Sequence, residues 1–417
     1  MKDISCDVLI LGGGAAGLCA GSITAKNNRS TIIIDREEQP GGILRQCIHN
    51  GFGLRYFKEE LTGPEYACRV AEKAKSAGAA LMQNSTATKA WRNDDDSYGF
   101  RIFSKKDGLC RLTAKSVMFT TGCRERTRGG IVTPGTRPAG VFTAGAAQKL
   151  LNISGCLPGK RAVIVGSGDI GLIMARRLRW CGIEVAAVVE IMNHPSGLTR
   201  NIVQCLDDFD IPLYLGHSVT NIYGKDRVES VDITPLSGGV PDFSRTFHLD
   251  CDTVLFSVGL VPEVELARQL GVEINPATGG AFVDDDYETT APMVFSAGNG
   301  LHVHDLVDFV SEESERAATC LLRRLEEGKD RNKISVSVEK TLKYVVPNFV
   351  TPGKKANFFF RPMIIANKAM LEARTDGEII KKRMIPFVRP AEMLTFELDV
   401  PENCCKVEFA LTGGELL

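Results

Sequence analysis

Several absences narrow the chain before any motif is sought. No two of its 13 cysteines are spaced C-x-x-C, which removes the dithiol of a disulfide-exchange centre and the commonest zinc and iron–sulfur ligand spacings. An odd cysteine count also fits no closed disulfide framework, so most of these thiols read as small buried hydrophobes. No apolar run approaches the roughly 18 residues that a membrane-spanning helix needs. Charge of one sign is missing as well: 50 Lys and Arg stand against 51 Asp and Glu, a formal net charge of −1. Nucleic acid or an anionic membrane surface would call for a basic field that this balance does not supply. The opening Met1-Lys2-Asp3-Ile4-Ser5-Cys6-Asp7 carries acids where a secretory leader would be apolar, and a cytoplasmic location is expected.

What is present is the composition of a globular protein: 417 residues, 44% apolar and 24% charged, enough for two to three domains at roughly 150 residues each. Asp7 to Leu11 is an apolar run entering Gly12-Gly13-Gly14-Ala15-Ala16-Gly17, followed by helix formers through Lys26 and a second apolar run, Thr31 to Ile34, that ends in Asp35. Each position suits a dinucleotide. Gly12 makes the tight turn, Gly14 lets backbone approach a pyrophosphate, and Gly17 permits close helix–strand packing. Ala15 and Ala16 open the helix whose unpaired N–H groups favour phosphate. Asp35 stands 18 residues after Gly17, near the roughly 20-residue spacing expected of an acid that binds a ribose hydroxyl.

A second fingerprint repeats the first. Arg161 to Val165 enters Gly166-Ser167-Gly168-Asp169-Ile170-Gly171, a helix runs to about Cys181, and the strand Val185 to Val189 ends in Glu190, 19 residues after Gly171. A carboxylate there accepts from a ribose 2′-OH and repels a 2′-phosphate, and Met192 and Asn193 provide no arginine, so NAD(H) is expected rather than NADP(H). Strand-to-glycine endings at Val117–Gly122 and Val254–Gly259 further match the two halves. A nucleotide-binding domain inserted in another is implied, with 1–145 and 280–330 forming the first and 146–279 the second.

Between the fingerprints, Arg36 to Gly53 is a long glycine-punctuated loop, and such loops in compact domains are usually functional. Cys47 and His49 are its reactive side chains; Cys47 is either a redox thiol favoured by Arg45 or His49, or a packed and inert one. The closing strand Ala291–Ser296 runs into Ala297-Gly298-Asn299, followed by Leu301–Asp308 and a helix through Leu325, a geometry that can present polar atoms and helix N–H groups to a flavin. His302, His304, Asp305 and Asp308 have metal-ligating chemistry, but the same segment is needed to close the first nucleotide site and no metal is expected. From Ile334 the texture changes to short β-type runs, Ile334–Val346, Asn357–Pro362, Ile364–Ala373, Glu378–Ile385, Met393–Leu398 and Lys406–Leu411. Regular short strands predict a small β-sandwich over 334–417, a structural tail or an interface for a partner or dimer.

With these motifs in hand, the chain resembles the two-dinucleotide-binding-domain flavoproteins, the group of thioredoxin reductase and the NADH oxidases. The resemblance rests on both fingerprints, Thr120-Thr121-Gly122 and Phe295-Ser296-Ala297-Gly298-Asn299, over roughly residues 5 to 330. It implies FAD held by Gly12, Gly14, Ala15, Ala16, Gly17, Asp35, Arg36, Gly42, Thr121, Gly122, Gly298, Asn299 and Val307. It also implies NAD(H) held by Gly166, Gly168, Asp169, Ile170, Gly171, Glu190 and Gly259. Asn299 departs from the Asp usual in this group and loses its charge.

A narrower resemblance, carried by Gly41-Gly42-Ile43-Leu44, by Thr121-Gly122-Cys123-Arg124-Glu125-Arg126 and by Pro134 to Gln148, is to flavoprotein subunits of the sarcosine and opine oxidase type. It extends to flavoproteins associated with a glycerol-3-phosphate-dehydrogenase-like enzyme. This implies an electron-transfer subunit whose partners are a small iron–sulfur protein and a second flavoprotein dehydrogenase subunit, or a homodimer. The chain has no cysteine-rich cluster segment of its own. The function expected is an FAD-dependent oxidoreductase passing electrons between NAD(H) and a second redox centre. Its alternatives are a stand-alone NADH oxidase or peroxide reductase using Cys47, and a non-catalytic flavin-stabilised scaffold.

Overall fold

Strand, glycine turn and helix follow one another at both fingerprints in the computed structural model, which describes residues 1–328 and 332–416. The chain divides into two compact units: Met1–Cys123 with Pro262–Leu417, and Arg124–Val261. Residue 330, where the first domain is expected to end, lies outside the described residues.

In the first unit the strand Lys2–Leu11 is central in a seven-stranded sheet. It pairs in parallel with Thr31–Ile34 on one side and Gly108–Phe119 on the other, with Leu11 opposite both Ile34 and Phe119. Val8, Leu9 and Ile10 are fully buried, the continuous apolar run of a strand covered on both faces. The closing strand Val294–Ser296 joins the same sheet beside Gly108–Phe119. Two helices matter for the site. Ala15–Lys26 follows the glycine turn, and Gly63–Ser76 starts with a capping box, the Thr62 side chain accepting from the Glu65 N–H while Glu65 accepts from the Thr62 N–H, a reciprocal satisfaction of orphan donors.

In the second unit a five-stranded parallel sheet has the order Leu213–Leu215, Glu184–Glu190, Arg161–Val165, Thr253–Phe256, Val141–Thr143. The edge strand Val141–Thr143 precedes residue 146 and belongs to this sheet through its pairing with Thr253–Phe256.

The strands from Ile334 on form a six-stranded and a three-stranded sheet that share one apolar core built on Phe358, Phe360, Phe396 and Phe409. The single run expected over Ile334–Val346 is two strands, Ile334–Val338 and Leu342–Val346, one in each sheet. The break is a turn closed by the Leu342 N–H donating to the Glu339 carbonyl at 3.0 Å. Both sheets belong to the first unit.

Candidate functional site: two dinucleotide cradles

Glycine at Gly12 is required by its φ of +111°, and a Cβ there would lie 2.3 Å from the Thr120 carbonyl oxygen. Gly17 is required by packing instead, since its Cβ would stand 1.9 Å from the Gly12 carbonyl oxygen. At Gly14 nothing lies within 4 Å of the added carbon. The first and third glycines thus hold the turn against the sheet, and the second leaves its backbone face open. No side chain caps the helix Ala15–Lys26 and its first turn contains no acid, so the N–H groups and positive dipole end face that opening.

Other segments close round this turn. The Gly41 N–H donates to the Gly13 carbonyl at 2.7 Å, and a Cβ on Gly42 would come within 3.2 Å of the Gly14 Cα. Asp35 is half-buried and accepts from the Gly13 N–H at 2.6 Å and from the Glu37 N–H at 2.8 Å. Burial raises its pKa, with those two N–H groups opposing the shift. Arg36 is exposed beside it. Thr121 donates its hydroxyl to the Glu263 carbonyl at 2.7 Å, and Gly122 accepts from the Glu263 N–H at 3.0 Å. A Cβ on Gly298 would sit 3.0 Å from that of Ala16, which brings the closing segment onto the fingerprint helix. Asn299 accepts through Oδ1 from the His304 N–H at 3.1 Å, and Val307 opens the helix Val307–Glu327. With Thr121 Cα 3.2 Å from where a Cβ on Gly12 would be, the Gly42 loop, the Thr121–Gly122 turn and the Gly298 closure therefore all pack on the fingerprint turn, and the Gly14 Cβ position stays open.

Two buried acids on the closing helix escape a sequence reading in this role. Asp308, 2% exposed, accepts from the Gly53 N–H at 3.2 Å and the Tyr56 N–H at 2.7 Å, so it pins the far end of the Arg36–Gly53 loop. Glu313, fully buried, accepts from the Gly298 N–H at 2.7 Å. Both lie on a helix with so many charges that its acids read as a solvated face; only a buried polar stripe at Asp308, Ser311, Ser314, visible as helical spacing, hints otherwise.

Cys47 is buried and its Sγ lies 3.3 Å from the Ile43 carbonyl. Burial pushes its thiol up to about 12.

The second cradle has the same glycine logic. Gly166 has φ of +96° and its Cβ would meet the Ser257 carbonyl oxygen at 2.1 Å, while that of Gly171 would meet the Gly166 oxygen at 2.7 Å. Gly168 is open except for Ser257 Oγ at 3.9 Å, and Gly259 has nothing within 4 Å. The phosphate-facing backbone thus fits a dinucleotide as the first does. The acid differs. Glu190 is 4% exposed; its Oε2 accepts from the Ser167 N–H at 3.0 Å, the Ser167 hydroxyl at 2.6 Å and the Ser196 hydroxyl at 2.9 Å, and its Oε1 from the Met192 N–H at 3.0 Å. Asp169 is likewise engaged, accepting from the Leu198 N–H at 2.8 Å and the Asn201 amide at 2.7 Å. Ile170 lies half-buried beside it. The loop Ile191–Leu198 is therefore tied to the fingerprint through the residues expected to meet the nucleotide.

Parallel strands with a glycine turn, helix N-terminus and terminal acid, present in each unit, define a dinucleotide-binding fold. The chain belongs to the pyridine nucleotide-disulphide oxidoreductase family, whose family model matches residues 6–317, and it is an enzyme of that family. Members of this family typically bind FAD and NAD(P)H. Among curated proteins it is 25% identical over 326 residues to hydrogen cyanide synthase subunit HcnB of Pseudomonas protegens, covering 72% of this chain and 65% of that one. It is 26% identical over 317 residues to an opine oxidase subunit of Rhizobium meliloti, covering 70% and 66%. The chain thus spans just under two thirds of the length of these relatives. Thioredoxin reductase of Treponema pallidum is 25% identical over 299 residues, covering 70% of this chain and 88% of its own. In fold the chain is similar to the crystal structure of T. acidophilum thioredoxin reductase, with a TM-score of 0.65 and 22% identity over 78% of this chain and 99% of that one. Among the described residues no helix is long and apolar enough to cross a membrane.

Proposed function

We propose that the chain is the electron-transfer flavoprotein subunit of a multi-subunit dehydrogenase or oxidase, with FAD in the first cradle and NAD(H) in the second. The observation that supports it most is the open Gly14 face of a fingerprint turn against which Gly42 packs at Gly14, Thr121 at Gly12 and Gly298 at Ala16. Bound FAD supplies two-electron redox chemistry, and NADH is its hydride donor or NAD+ its acceptor, according to the direction of flow. The protein's own part is to hold and orient. Asp35 receives the adenosine ribose, with Arg36 beside it. The N–H groups at Gly14, Ala15, Ala16 and Gly17 take the pyrophosphate, with Gly42 over it. Thr121, Gly122, Gly298, Asn299 and the N-terminus at Val307 surround the ring end. Gly166, Gly168, Asp169, Ile170, Gly171, Glu190 and Gly259 line the second site.

Without a C-x-x-C pair, the electrons leave for a centre on another chain, and the names of the HcnB and opine oxidase relatives as subunits support such a partner. A small iron–sulfur protein and a second flavoprotein dehydrogenase subunit are the partners proposed, with a homodimer as the other arrangement. The C-terminal sheets are the surface we assign to assembly. The deeply buried thiol of Cys47 counts against the stand-alone oxidase reading.

The reading is tested by anaerobic stopped flow on purified protein. A yellow protein whose flavin bleaches on mixing with NADH is expected. A flavin that NADH leaves oxidised overturns the NAD(H) assignment, and a colourless protein that takes up no added FAD overturns the first cradle's.

A further inference from the structure

Outside the two cradles, one knot of side chains has more ligating capacity than the protein itself uses. His302 and His304 come from the closing segment and Glu313 from the helix Val307–Glu327; all three side chains are fully buried. His302 Nε2 lies 2.8 Å from Glu313 Oε2, and His304 Nε2 lies 3.2 Å from Glu313 Oε1. One donor atom from each residue falls within 4.8 Å of the others. The imidazole rings are 4.2 Å apart between centroids, and Phe359 flanks both.

The arrangement is sealed from the surface, and a carboxylate in such a place is costly unless it is paired or bound to a metal. Among the described residues Glu313 accepts one backbone N–H, from Gly298, and its other hydrogen-bond partners are the two rings. The rings have nitrogen to spare. His302 Nδ1 and His304 Nδ1 are both buried with no hydrogen-bond partner among the described residues. With no partner fixing a proton at Nδ1 or away from it, each ring is free to take the tautomer that presents a lone pair on Nε2, the nitrogen that faces Glu313.

We propose that His302, His304 and Glu313 bind one divalent transition-metal ion of the zinc class. Two imidazole nitrogens and both carboxylate oxygens make a four-donor set, and imidazole with carboxylate suits zinc and its first-row neighbours better than calcium or magnesium, which take oxygen ligands. The observed nitrogen–oxygen separations of 2.8 and 3.2 Å are those of adjacent ligands around an ion held at roughly 2.0–2.2 Å. With every donor occupied by protein and no solvent exposure, the ion is a structural one. It cross-links the segment after Gly298 to the helix behind it. The Gly298 N–H bond to Glu313 is then an outer contact that orients a metal-bound carboxylate.

The test uses the whole protein expressed in medium supplemented with Zn2+, purified without chelator and desalted. Plasma mass spectrometry is expected to find about one zinc per chain, consistent with a closed structural site. His304→Gln and Glu313→Gln are expected to lose that zinc, with affinity in a competition titration falling on the order of 10- to 100-fold or more. The surface control His248→Gln keeps it. Zinc below about a tenth of an equivalent in the folded wild-type protein overturns the proposal. So does an equivalent that His248→Gln removes while His304→Gln does not. Because the wild-type measurement needs no variant, a Glu313→Gln chain that fails to fold leaves the test intact. Flavin content and NADH bleaching are separate readouts, so failure here leaves the assignment of the cradles untouched.

Discussion

At the scale of single residues, the glycines and Cys47 show how far residue type alone carries. The roles of Gly12 and Gly17 follow from sequence because a fingerprint turn leaves no room for a Cβ at either, and the structure shows carbonyl oxygens 2.3 and 1.9 Å from where each would be. Cys47 is open on sequence between redox thiol and packed residue, because nothing local reports its solvation. Its burial pushes the thiol up to about 12. A thiol of that pKa is almost wholly protonated at pH 8, and the thiolate is the reactive form. Iodoacetamide on the native protein is therefore expected to label the exposed Cys68, Cys156 and Cys405 and to spare Cys47, as peptide mapping would show. Labelling of Cys47 should increase as pH rises toward 12, never level off near neutrality. Cys47→Ser is expected to keep the rate of flavin reduction by NADH within about twofold, whereas a redox thiol would make turnover collapse.

At the scale of elements, the loop Ile191–Leu198 decides what the second fingerprint can accept. The strand, turn, helix and terminal acid of that fingerprint are legible, since each obeys a rule that acts over a few residues. That Ser196 folds back and bonds Glu190 is not, because serine in a polar loop has no periodicity to betray a long-range partner. The contrast with the first site is plain: Asp35 is half-buried and bonds two backbone N–H groups, whereas Glu190 is 4% exposed and bonds two serines besides. A ribose hydroxyl reaching Glu190 must displace one of those contacts. Removing the Ser196 hydroxyl frees an acceptor, so Ser196→Ala is expected to tighten NADH binding by roughly 3- to 10-fold, the equivalent of one hydrogen bond. A titration that follows NADH fluorescence measures this. Equal or weaker binding in the variant would show that Ser196 supports the nucleotide instead of competing with it.

For the molecule as a whole, family membership and a match that spans just under two thirds of the HcnB and opine oxidase relatives frame the question of partners. The C-terminal strands are legible as short β-type runs, yet their division between sheets is not. A turn at Glu339–Leu342 sends consecutive strands to different sheets, and which sheet a strand joins depends on partners far away in sequence. The assignment of these sheets to assembly is tested by affinity purification of the tagged native chain from its own host. A second flavoprotein and an iron–sulfur protein are expected in about equal amounts with it; a chain that elutes alone or only with itself, at the mass of a monomer or dimer, would refute the multi-subunit reading.

By itself the sequence determined that two dinucleotide turns occur, where their helices begin, which acid ends each second strand and that no C-x-x-C pair accompanies them. These are outcomes of backbone geometry and of periods of two and 3.6 residues, which act locally. Tertiary structure alone decided which atoms of the fingerprint Gly42, Thr121 and Gly298 pack against, that Glu190 is already bonded to serines, and that Glu313 is buried against His302 and His304. The charge of a side chain favours water, and only the packing of distant segments can put it in a core with partners that compensate.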